Sequence, residues 1–148
     1  MTIVPIRKGL QILIVAVIAV VWIDLFVTDA NAPPMKTLGV IQSELSAVHH
    51  PDNASPDGDV KVVDRGSLLE VSQNYSIDDI GENALFNFYR AEFAKSGWKY
   101  IRGYGHDTSS YVFCKGDIEA GLEIARPENI HNYSVYVSTG QMAQRTCT

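Results

Sequence analysis

Apolar and polar positions change rhythm several times along this chain. From Gly9 to Val27 they barely alternate at all, because 16 of these 19 residues are apolar, the exceptions being Gly9, Gln11 and Asp24. As a helix the run is about 28 Å long, close to a hydrocarbon core of roughly 30 Å, so a membrane-spanning helix is predicted over 10–27. Pro33 and Pro34 break any continuation. Leu38, Ile41, Leu45 and Val48 then recur at helical spacing, which predicts an amphipathic helix from about Met35 to Val48. His49 to Asp59 reads as a turn-rich connector with almost nothing to bury.

Two strand-like segments follow, Val60 to Val63 and Ser67 to Asn74, separated by Asp64-Arg65-Gly66 as in a hairpin. Ser76 has the chemistry of an N-cap, with Asp78 and Asp79 placed to meet the positive end of a helix dipole. Leu85, Tyr89 and Phe93 stand every four residues, flanked by Phe86 and Phe88, and Gly97 sits where a left-handed C-terminal cap is expected. From Trp98 onward the period shortens to two. Ile118, Ala120, Leu122 and Ile124 alternate with Glu119, Gly121 and Glu123, and Tyr133, Val135 and Val137 alternate with Ser134, Tyr136 and Ser138. With Trp98 to Gly103 and Ser110 to Lys115 these make a four-stranded antiparallel meander, and the aromatic helix is its natural cover. The prediction is an α+β chain: an N-terminal transmembrane helix, then a two-layer domain with a helix packed on an antiparallel sheet. Its parts are a cytoplasmic N-terminus (1–9), the membrane helix (10–27), a juxtamembrane helix and linker (28–59), and a periplasmic domain (60–148).

Charge follows the same division. Arg7 and Lys8 precede the apolar run, and from Thr28 onward 10 basic residues face 16 acidic ones, within an overall net charge of −5. Basic residues before the span favour an inward N-terminus under the positive-inside rule. An acidic domain would repel phosphates, which argues against nucleic acid as a partner, and a single long apolar run argues against a multi-span transporter. A cleaved signal peptide is the competing reading, because Ala30-Asn31-Ala32 has a small-x-small pattern. Pro33 opposes cleavage there, since it lacks an N–H and constrains the substrate backbone. No cysteine lies near the segment, which argues against a lipid anchor. Asp24 sits three residues from the end of the span, where a carboxylate can reach the outer headgroups; the other reading is a polar contact with a partner helix.

Candidate chemistry is sparse. His49-His50-Pro51-Asp52 is the most metal-like cluster, yet adjacent histidines point differently and no third ligand has a diagnostic spacing. No metal, cofactor or catalytic residue is assigned, and His106, Asp107 and His131 join no serine or cysteine nucleophile. Glu119 and Glu123 would stand about 13 Å apart on a strand, beyond the separation of glycosidase carboxylate pairs, so an acidic exposed face is expected. Cys114 and Cys147 fall on the side expected to be oxidising. A bridge between them would close a loop worth at most about 3.7 kcal/mol of chain entropy; the alternative is a buried thiol at Cys114 and a free one in a frayed tail.

The run Phe88-Tyr89, Phe93, Gly97-Trp98, followed by a strand meander, resembles a pattern of small bacterial membrane-anchored or lipid-anchored periplasmic proteins. The likeness covers roughly Ser67 to Ser138. It implies structural roles for Tyr89, Phe93, Gly97 and Trp98 in closing a helix and sheet interface, and a periplasmic setting. The expectation for function is a single-pass inner-membrane protein, N-terminus cytoplasmic and C-terminal domain periplasmic, that binds or scaffolds another envelope protein. The alternative is a periplasmic small-ligand or peptide binding or inhibitor module using the sheet face or the Tyr100, Tyr104 and Tyr111 region.

Overall fold

The computed structural model describes residues 36–78, 80–105, 108–126 and 130–148. The segment 1–9, the expected membrane helix at 10–27 with Asp24, and Pro33 and Pro34 lie outside them. Among the described residues no helix is long and apolar enough to cross a membrane.

In chain order the elements are α1 (Leu38–Ser46), β1 (Ala54–Pro56), β2 (Lys61–Asp64), β3 (Leu68–Ile77), α2 (Glu82–Lys95), β4 (Lys99–Tyr104), β5 (Ser109–Lys115), β6 (Ile118–Ile124), β7 (Asn132–Gly140) and α3 (Gln141–Cys147). The strands form one antiparallel sheet in the order β1-β3-β7-β6-β5-β4, with β2 also pairing along β3. The expected meander is therefore present as β4 to β7, and the expected hairpin as β2 and β3. The two halves of the sheet are joined by β3 and β7, whose register runs from Leu68 opposite Gly140 to Ser76 opposite Asn132.

Strict alternation along these strands gives the sheet two chemically different faces. Val71, Tyr75, Ile77, Ala120, Leu122, Ile124, Val135 and Val137 point inward and are buried under α1 and α2. Helix α1 contributes Ile41 and Leu45, and α2 contributes Leu85, Tyr89 and Phe93, the stripe that its four-residue spacing implied. The end of α2 accounts for the Gly97-Trp98 signature. Gly97 adopts φ +84. In that geometry the Gly97 N–H donates to the Ala94 carbonyl and the Trp98 N–H to the Phe93 carbonyl. This is a Schellman cap, completed by the apolar contact of Trp98 with Phe93, ring centroids 5.7 Å apart. A residue other than glycine would cost roughly 1–2 kcal/mol in the left-handed backbone. Trp98 is buried with its Nε1 unpartnered among the described residues, and the Lys115 ammonium lies 5.9 Å from its ring centroid.

Two expectations need correction. Ser76 is not an N-cap: it lies in β3, which keeps its alternation of buried and half-buried residues through Ile77, and α2 starts at Glu82 behind Gly81. The connector His49 to Asp59 does bury groups, since Pro51 is buried, as is Val48 just before it, and β1 pairs with the end of β3. From residue 36 the segment expected as a juxtamembrane helix and linker thus contributes a helix and a strand to the domain. The segment after β7 forms α3, which buries Ala143, so of the two readings of the tail the pinned one holds.

Helix α3 crosses to the polar face of the sheet, and a disulfide between Cys114 and Cys147 holds it there, with Cα atoms 5.4 Å apart. Replacing both cysteines by serine is expected to lower the unfolding free energy by up to about 3.7 kcal/mol. Urea titration should show this loss. Hydrogen exchange should show α3 as the first element to lose protection, well before β6 and β7.

Candidate functional site

The outer face of the sheet is polar because the alternate residues of its central strands are. In register across β6, β7 and β3 stand Glu119, Ser138 and Glu70, then Gly121, Tyr136 and Ser72, then Glu123, Ser134 and Asn74. Helix α3 covers one end of this face, and the remainder is an open groove of about 490 Å³. Lys61 and Arg102 stand at its two flanks, on β2 and β4, and the Arg102 guanidinium stacks on Tyr104 at 4.9 Å from the ring centroid.

Tyr136 organises the floor. Its hydroxyl donates to Glu119 Oε1 at 3.0 Å, and its ring lies over Gly121, where a Cβ would come within 2.2 Å of the ring. Gly121 is thus the space that the ring occupies. Burial, reinforced by the charges of Glu119, Glu123 and Glu70 and the hydrogen bond to Glu119, keeps the Tyr136 phenol protonated far above its ordinary range. Glu70 is half-buried, and its pKa is raised by burial first and then by the charges of Glu123 and Glu119, with a small opposing effect from Arg65. Among the described residues none of the three carboxylates has an ion-pair partner. Ser138, at the centre of the first row, is only 4% exposed and lines the groove.

A second polar cluster lies on the inner face. His50 stacks on Tyr75, ring centroids 4.1 Å apart. Its Nε2 is 2.7 Å from the Tyr75 hydroxyl and its Nδ1 is 2.7 Å from that of Tyr89. Tyr89 in turn donates to the Tyr133 hydroxyl at 2.9 Å. In the neutral ring one of these nitrogens donates and the other accepts, so both tyrosine contacts can be satisfied at once. Burial, with a smaller contribution from His49, lowers the His50 pKa to about 4. Burial likewise raises Tyr133 to about 12 and Tyr89 higher still. This chain of hydrogen bonds crosslinks the connector, β3, α2 and β7, a structural task.

The candidates named from sequence are dispersed. His49 and Asp52 are exposed, and His50 is not part of a solvated linker but sits half-buried among tyrosines. His131 is exposed in the approach to β7; His106 and Asp107 lie outside the described residues. Tyr100, Tyr104 and Tyr111 do not form one site. Tyr100 and Tyr111 pack with Phe86 on the inner face, where Tyr111 donates to Glu82, and Tyr104 stands on the groove side. Among the described residues no group of three or more His, Cys, Asp or Glu side chains is placed to hold a metal ion. Glu119 and Glu123 are on the wet face as expected. Glu70, Tyr136 and Ser138 join them only through the β3 and β7 register.

In comparisons with known proteins, no family model, curated protein or solved structure matches this chain.

Two outcomes test these geometries. Gly121→Ala should displace the Tyr136 ring and destabilise the domain by about 1–3 kcal/mol, the usual cost of overpacking. Adding Tyr136→Ala should recover part of that loss, so a double-mutant cycle by urea denaturation should give a coupling above about 0.5 kcal/mol. For His50, the folded pKa of about 4 lies below the ordinary value of 6.5, so between these values the unfolded chain binds more protons. Stability contributed by neutral His50 is full above about pH 6.5 and is lost as pH falls toward 4. His50→Gln should therefore flatten the stability profile across that window, read as the urea midpoint against pH.

Proposed function

We propose that this chain is a single-pass, membrane-anchored protein of the bacterial envelope whose extracytoplasmic domain docks another envelope protein on the open face of its sheet. The observation that carries the reading is the groove itself: a sheet face left half-covered, with three carboxylates free of ion pairs among the described residues. A face that leaves carboxylates without ion-pair partners is suited to receive a partner from outside. The apolar run at 10–27 supplies the anchor, with the N-terminus inside and the domain in the periplasm. A tether of this kind raises the local concentration of a small domain near membrane partners.

The alternative, a module enclosing a small ligand, is served less well because the groove is open along its length rather than closed around a volume. A binding protein is also favoured over an enzyme. The carboxylates are spread over two strands with β7 between them, and no nucleophile stands paired with a base around them among the described residues.

The test is photocrosslinking in native membranes, using the full chain with a photoreactive residue at Ser134 in the groove or, as control, at Asn87 on the exposed side of α2. A discrete adduct with one envelope protein is expected from position 134 and not from 87. Recovery of uncrosslinked chain alone from both positions would remove the docking reading.

A further inference from the structure

We propose that copies of this chain join edge to edge, the free edge of β4 in one copy pairing with the free edge of β2 in the next so that the sheet continues from copy to copy. This goes beyond the docking reading and does not require it, because it concerns the edges of the sheet rather than its face.

The topology suits such a join. β1 and β2 lie end to end along β3, so the sheet is six strands wide, and every neighbouring pair in it is antiparallel. Five reversals of direction leave β2 and β4, at the two ends, running in opposite senses. A second copy in the same orientation therefore presents its β2 antiparallel to β4, as the next strand of the ladder should be. Among the described residues both edges are open. Each of the two strands pairs on one side only, β4 is exposed throughout, and β2 is exposed at all but Val63. Pro56 in β1 has no N–H to give, which confines new pairing on that edge to the β2 stretch.

Apolar exposure concentrates at the same places. Of the eight large apolar side chains exposed among the described residues, five stand on these edges: Val60 and Val62 on one, Tyr100, Ile101 and Tyr104 on the other. Free backbone donors and acceptors flanked by exposed β-branched and aromatic side chains make a template for strand addition.

Charge selects the occupant. Residues 99–104 carry Lys99 and Arg102 and no acid, a net +2, whereas residues 57–64 carry Asp57, Asp59 and Asp64 against Lys61, a net −2. Lys99, Arg102, Asp57 and Asp59 make no ion pair among the described residues. Pairing β4 with another β4 would set cations against cations, and pairing β2 with another β2 would gather the aspartates; like charges across a ladder are destabilising. The basic edge of one copy and the acidic edge of the next complement each other. Such a contact is heterologous, so each added copy leaves one free edge of each kind and the assembly grows as a row.

The test introduces cysteines into the full chain in native membranes and applies a short bismaleimide, which joins free thiols and leaves the Cys114–Cys147 bridge untouched. Ile101→Cys and Val62→Cys, each expressed alone, should give no dimer; coexpressed they should give a dimer, and combined in one chain a ladder of multimers. Adding Lys99→Glu/Arg102→Glu to the ladder-forming chain should lower its yield at least about tenfold, and adding Asp57→Lys/Asp59→Lys as well should restore it, because the two edges have exchanged sign. Circular dichroism and mass spectrometry of the native bridge verify that each variant folds. Absence of the ladder from the folded chain, or its persistence in the Lys99→Glu/Arg102→Glu variant, would overturn the inference. So would failure of the exchanged chain to recover. A dimer from Ile101→Cys alone would show β4 meeting β4, and an adduct of that variant with a different protein would assign the edge to another partner; either result would overturn it too.

Discussion

The pairing of β3 with β7 is the constraint on which the rest of this domain depends. It joins Leu68 to Gly140 and Ser76 to Asn132, closing a long loop that holds α2 and three strands, whose entropy must be recovered from what the pairing buries. The recovery is visible on the inner face. Val71 meets Val137, Tyr75 meets Tyr133, and α1 and α2 seal the row with Ile41, Leu45 and Tyr89, all buried. The same register sets the outer face without further choice, because side chains on a strand alternate. Once Val71 faces Val137, Glu70 must face Ser138 on the other side, and Ser138 must face Glu119 on β6. A slip of one residue would put the carboxylates in the core, so apolar burial enforces the polar groove.

The two polar clusters answer burial in opposite ways. On the inner face His50, Tyr75, Tyr89 and Tyr133 satisfy one another in a single chain of hydrogen bonds. Burial lowers the His50 pKa, so the ring stays neutral in the network. A closed network of this kind fixes position and has little left to offer a ligand. On the outer face the Tyr136 and Glu119 pair is closed internally. Glu70 and Glu123 have no ion-pair partner among the described residues, and that is how the two clusters differ.

Much of the fold was legible where one period dominated the sequence. The four-residue spacing of Leu85, Tyr89 and Phe93, the Gly97-Trp98 cap and the alternation around Ala120 and Val135 each had one physical solution. Cys114 and Cys147 left two, which the α3 docking resolves in favour of the bridge. Illegible features were those decided by distant partners. Ser76 has capping chemistry, but Ile77 donates its N–H to the His131 carbonyl and continues the inward row, so pairing outweighed the cap. His50 looked solvated because its tyrosines are 25 and 39 residues away. The acidic face was half legible, since Glu119 and Glu123 declare themselves by alternation while Glu70 belongs to a strand that only the register brings alongside.

Helix α3 gives the groove its direction. It covers the end of the polar face nearest Cys114, where Ala143 is buried and Cys147 is bonded to the sheet. That end combines the apolar contact of Ala143 with a covalent staple. The uncovered part needs neither, since Gly121 lets Tyr136 lie flat and form its floor. A larger residue at 121 would lift that ring off the strand, where a Cβ would come within 2.2 Å of it. The small residue in the middle of β6, which weakens the strand, thus serves the groove rather than the core.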